Sequence, residues 1–148
     1  MTRFMSALAL ALAALVVPLA HSGQIARASG GSATGQTVNV YRESCTATSP
    51  GAAVGTARFA PDDQGGNPGG LEIRTGLTGG LPRTSYSVVV LVSPCRVLTR
   101  AGTLTTDDSG RGDLDVHVTG SLVPPGAALR VQLASPTDTL TSDPTSGV

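Results

Sequence analysis

The stretch Ser85–Thr119, SYSVVVLVSPCRVLTRAGTLTTDDSGRGDLDVHVT, constrains the fold more than any other part of the chain. It opens with a β-branched run, Tyr86 to Val92, that is apolar on both faces at its centre, as in a strand central to its sheet or covered on both sides. It closes with Leu114-Asp115-Val116-His117-Val118, where apolar and polar residues alternate with the period of two that a half-buried strand demands. Between them, Asp107, Asp108, Gly110 and Gly112 suit the backbone angles of a tight turn. The expectation is antiparallel β-sheet.

Upstream, the first thirty residues have a different character. Arg3 precedes an uncharged run from Ala7 to Ala20, ALALALAALVVPLA, and small residues follow, with Ala26-Arg27-Ala28 as an A-x-A site. A spanning helix needs about 20 apolar residues, and this run is shorter and broken by Pro18. The layout is that of a secretory signal peptide over 1–28, cleaved after Ala28 or alternatively after Ser22. No cysteine lies near either site, so no lipid anchor is expected. A protein exported this way would be secreted, with no stable membrane anchor after cleavage.

The rest reads as strands and turns. Residues 29–37 are a Gly/Ser/Thr-rich lead-in. Strand patterns follow at 38–42, 54–60, 71–75, 86–92, 96–105, 114–118 and 129–133, with Gly102 as a possible bulge. Pro61 to Gly69 is a loop, since nearly every residue in it favours a turn. Residues 136–148 have almost no apolar content and read as a disordered tail. With no helical period after the leader, the fold class is all-β. We expect a single immunoglobulin-like antiparallel β-sandwich of about seven strands over 38–135. Parity places Val38, Val40, Phe59, Leu71, Ile73, Val88, Val90, Val92, Leu104, Leu114, Val116, Val118, Leu129, Val131 and Leu133 inside.

Composition narrows the partners. The 148 residues include ten basic side chains, all Arg, against ten acidic ones. No basic stripe exists to hold a phosphate backbone, and two Phe, two Tyr and no Trp leave little for bases to stack on, so nucleic acid is excluded. The core is thin, and a covalent staple would help it. Cys45 and Cys95 are the two cysteines; in an exported chain they should form a disulfide. Each sits just past a strand end and off its apolar parity, so the bridge should tie strand ends together. It differs in this from the mid-strand pin of an immunoglobulin domain, whose buried Trp is also missing.

Candidate chemistry is sparse. His117 is the one histidine beyond the leader and points outward by parity, beside Asp115; no G-x-S-x-G elbow offers it a serine. Asp62-Asp63 are too isolated to serve as paired catalytic carboxylates. No catalytic residue and no cofactor are assigned. In the loop 106–113, Asp107, Asp108 and Asp113 are hard oxygen ligands that could take Ca²⁺. The EF-hand spacing is absent and Arg111 places a positive charge among them, so the plain reading is a hairpin turn and no metal is assigned. Arg111-Gly112-Asp113 resembles the integrin-binding loop of fibronectin-type modules, a triplet that chance supplies easily in a chain rich in Gly, Arg and Asp. Leu81-Pro82-Arg83-Thr84-Ser85 resembles a sortase signal but has Ser where Gly is needed, and no apolar span follows.

Three stretches, GLTGGLPRTSYSVVVLV, GTLTTDDSGRGDLDVHV and PPGAALRVQL, together resemble small secreted β-sandwich domains of actinomycetes. More distantly they are similar to CHRD and copper/zinc superoxide-dismutase-like sandwiches. The resemblance implies the fold and argues against the enzyme, because those relatives hold metal on several histidines that are absent here. The expected function is a secreted, non-enzymatic module that binds an unknown protein or an envelope surface, or is structural there. The alternative is an extracellular Ca²⁺-dependent or enzymatic module centred on residues 106–113.

Overall fold

The computed structural model describes residues 35–47, 50–62 and 69–148. The leader over 1–28, most of the lead-in and the middle of the 61–69 loop lie outside the described residues. Eight strands are present: β1 (Gln36–Tyr41), β2 (Ala53–Pro61), β3 (Leu71–Leu77), β4 (Ser85–Val92), β5 (Arg96–Thr105), β6 (Gly112–Val118), β7 (Leu129–Ala134) and β8 (Thr139–Ser142). A single 3₁₀ turn spans Gly120–Leu122.

All pairings are antiparallel, and they join the strands into one sheet in the order β5-β4-β7-β8-β1-β2-β3-β6. This corrects two expectations. The strand count is eight among the described residues, and the ladder is continuous across what the sandwich reading divides into two sheets. The sheet rolls until its edge strands approach: a Cβ on Gly112 in β6 would lie 2.6 Å from the Thr105 carbonyl oxygen of β5. Rolling answers the edge problem of a flat sheet and encloses one interior.

That interior follows the alternation closely. Val40, Phe59, Leu71, Ile73, Val88, Val90, Val92, Leu104, Val118, Leu129, Val131 and Leu133 are buried, while Val38, Leu114 and Val116 are only partly so. Leu114 and Val116 lie on β6, an edge strand paired on one side only. Ala57, Leu77, Tyr86, Leu91 and Leu140 complete the core beyond the parity list. β4 sits between β5 and β7, so its two-faced apolar run matches its central place. In β5 the register slips beside Gly102, whose φ of 145° few side chains tolerate, so the expected bulge is present.

The largest correction concerns the C-terminal segment. Residues 136–148 read as disordered, yet Thr139–Ser142 form β8, which pairs with both β7 and β1. Leu140, Thr141 and Ser142 are fully buried. Hydroxyls extend the ladder where the backbone leaves it: Ser142 Oγ accepts from the Val131 N–H and Thr145 Oγ1 from the Leu129 N–H, each at 2.9 Å. Beyond β8, the Gly126 N–H donates to the Val148 carbonyl at 2.8 Å. A segment poor in apolar side chains is ordered here because its short hydroxyls satisfy buried backbone donors.

Cys45 and Cys95 form the disulfide, with Cα atoms 6.0 Å apart. Cys45 follows the end of β1 and Cys95 lies in the β4–β5 turn, so the bridge ties strand ends as the sequence suggested.

Candidate functional site

The loop between β5 and β6 is a latch, built from the sequence Thr106-Asp107-Asp108-Ser109-Gly110-Arg111. Gly110, at φ 76°, makes the turn. Asp107 Oδ1 accepts from the Ser109 N–H, the Ser109 hydroxyl and the Arg111 N–H at 2.7–2.9 Å. Those donors, the Arg111 N–H foremost, hold the Asp107 carboxyl below the ordinary aspartate range. Asp108 pairs with Arg83 through the guanidinium Nε and one Nη, which lowers its pKa as well.

This loop docks on the one before β4. The Gly80 N–H donates to the Gly110 carbonyl and the Arg83 N–H to the Asp107 carbonyl, each at 3.0 Å. Buried Thr106 joins the two: its hydroxyl donates to the Leu81 carbonyl at 2.5 Å and accepts from the Thr84 N–H at 3.0 Å. Two of the three candidate Ca²⁺ carboxylates are therefore engaged by protein donors. Asp113, the third, stands apart on β6. Among the described residues no group of three or more His, Cys, Asp or Glu side chains converges.

The triplet Arg111-Gly112-Asp113 does not project from a hairpin tip. Gly112 opens β6 opposite Leu77, and Asp113 lies opposite Gly76. Gly112 is wedged against β5, where any side chain would strike the Thr105 carbonyl and Leu104.

Asp113 belongs to a grid of outward side chains on β1, β2, β3 and β6. Strand register sets it in rows: Asn39, Thr56, Gly76, Asp113, then Thr37, Arg58, Arg74, Asp115. Two shallow depressions of about 470 and 460 Å³ cover this face and share Thr56, Gly76 and Asp113 as their common floor and wall. Arg74 is held by Glu72 and by Asp115 at 3.1 Å. Its cross-strand neighbour Arg58 has no such partner, and neither do the side chains of Arg111 and Asp113, among the described residues.

His117 is exposed, as expected, but its partner differs. Nδ1 lies 3.1 Å from Oδ2 of Asp62, whose side chain is 6% exposed, and Asp115 goes to Arg74 instead. Asp62 comes from the far end of β2, so only the β2-β3-β6 register brings it near. The pair links the segment just past β2 to the edge strand β6, with no serine hydroxyl on the imidazole among the described residues.

A second polar cluster escaped the sequence reading. The Tyr86 hydroxyl donates to Asp138 Oδ2 at 2.8 Å and accepts from the Leu81 N–H at 2.8 Å, while Arg42 Nε reaches Asp138 Oδ1 at 3.1 Å. Burial, followed by the neighbouring Asp138, raises the Tyr86 pKa. Asp138 fell in the segment read as disordered, and no local pattern marks it. The cluster joins the β7–β8 turn, β4 and the end of β1.

Among the described residues no helix is long and apolar enough to cross a membrane. Comparison with protein-family models, with curated proteins and with solved structures finds no match to this chain.

Proposed function

We propose that the chain is exported through its N-terminal segment and works outside the cell as a non-enzymatic β-module. It contacts a partner protein or an envelope surface through an outer sheet face. The rolled sheet is then a sandwich-like scaffold, with β5, β4, β7 and β8 facing β1, β2, β3 and β6. The observation that carries the reading is the disposition of charge. Asp107 and Asp108 are consumed in a latch between loops, whereas the side chains of Arg58, Arg111 and Asp113, which make no ion pair among the described residues, line two adjoining depressions. The disulfide agrees with an oxidising compartment.

A thermal melt of the secreted protein tests this against the metal-dependent alternative. Ca²⁺, Cu²⁺ and EDTA should each leave the transition where it is. A rise of several degrees with one of the metals, undone by EDTA, would contradict the reading, because a ligand that binds only the native state raises Tm.

A further inference from the structure

Gly76 has no internal reason to be glycine. It lies inside β3, where glycine weakens a strand and often marks the close approach of a ligand or another backbone. The other glycines around it are explained by packing: a Cβ at Gly55 would lie 2.3 Å from the Gly76 carbonyl. A Cβ at Gly76 itself would meet nothing within 4 Å, and its φ lies outside the left-handed region that would call for glycine. The missing side chain leaves open the floor that the two outer depressions share.

With Arg74 and Asp115 paired to each other, the charged side chains around that floor that make no ion pair among the described residues alternate in sign. Arg58 lies one outward row from Gly76 toward the start of β3, Asp113 lies beside Gly76, and Arg111 lies one alternate position before Asp113. Arg58 on β2 and Asp113 on β6 stand one strand to either side of β3, each roughly 4.8 Å from its axis, and their rows are roughly 6.8 Å apart along it, the spacing of side chains i and i+2 in an extended peptide. No aromatic ring lines either depression, so nothing there stacks a sugar or a base. Thr37, Asn39 and Thr56 supply side-chain donors and acceptors along the wall.

We propose that this trough binds an extended peptide segment with the same-face pattern acid-x-base-x-acid. Its backbone lies over Gly76, its central cation meets Asp113, and its two carboxylates meet Arg58 and Arg111. The inference rests on the reading of the molecule as a non-enzymatic binding module and identifies the site and the ligand class.

The test is a titration of the disulfide-bonded protein with acetyl-Glu-Ser-Lys-Ser-Glu-amide, followed by amide chemical shifts. Acetyl-Lys-Ser-Glu-Ser-Lys-amide, of reversed charge, serves as control. We expect saturable shifts at Thr56, Gly76 and Asp113 with the first peptide and none with the second. Gly76→Val should leave Tm unchanged or raised, since a β-branched side chain fits the strand and meets open space. It should weaken binding about tenfold or more, and so should Asp113→Asn, which removes a charge-assisted contact without changing shape. Equal binding of both peptides, no binding of either, or full affinity in Asp113→Asn overturns the proposal. Saturable shifts confined to another face overturn it while leaving the binding-module reading intact. Cleavage of the peptide during the titration would overturn that reading itself.

Discussion

Thr106 and Asp107 hold two loops together, and each makes a distinct prediction. Thr106→Val keeps the shape and removes a buried hydroxyl used by Leu81 and Thr84. It leaves their backbone groups unsatisfied, and urea unfolding should register a loss of about 1–3 kcal/mol. Asp107 has a folded-state pKa below its unfolded one. Its contribution is therefore present above the ordinary aspartate pKa and lost as pH falls through the depressed folded value. Amide exchange at Ser109 and Arg111 should accelerate only on acidification below that ordinary range. In Asp107→Asn the acid step should be missing, with exchange already faster at neutral pH. Tyr86→Phe deletes the hydroxyl that bridges Leu81 and buried Asp138, at a cost of about 1–3 kcal/mol. Combined with Asp138→Asn it should cost less than the sum of the two, because both act on one network.

At the scale of elements, β8 matters most, because it joins β7 to β1 and so connects the two halves of the sheet. Leu140→Ala should cost about 2–5 kcal/mol in a denaturant melt, the range for a fully buried leucine. Ending the chain after Ser135 should abolish the cooperative transition, since the Leu129 and Val131 N–H groups lose their hydroxyl partners. β8 is also where the sequence was least legible. Its four residues hold one large apolar side chain, and its stability comes from Thr and Ser hydroxyls whose partners lie elsewhere in the chain. Composition reads such a segment as unstructured. By contrast, β3, β6 and β7 were legible because one face is dry and the other wet, so their burial repeats every two residues. The trough was not legible at all. Arg58, Gly76 and Asp113 come from three strands, and only the register aligns them. The Asp62–His117 pair was hidden for the same reason.

For the whole molecule, a thin core is closed in two ways: by the sheet rolling on itself and by a covalent bridge over a sequence separation of 50 residues. Replacing both cysteines by serine should lower stability by about 4 kcal/mol in the chain-entropy treatment, with the far-ultraviolet β spectrum retained while the protein stays folded. The rows that frame the outer face over Gly76 are fixed by two ladders on each of β1, β2 and β3. β8 is what joins this half of the sheet, through β1, to the half that begins at β7. Residue-resolved amide hydrogen exchange of the oxidised protein tests it most directly. The ladder amides of Leu140 to Ser142 should exchange as slowly as those of Val88 to Val90 in β4, at the rate of global unfolding. Rapid exchange across Thr139–Ser142, with β4 still protected, would contradict the continuous rolled sheet and the surface built on it.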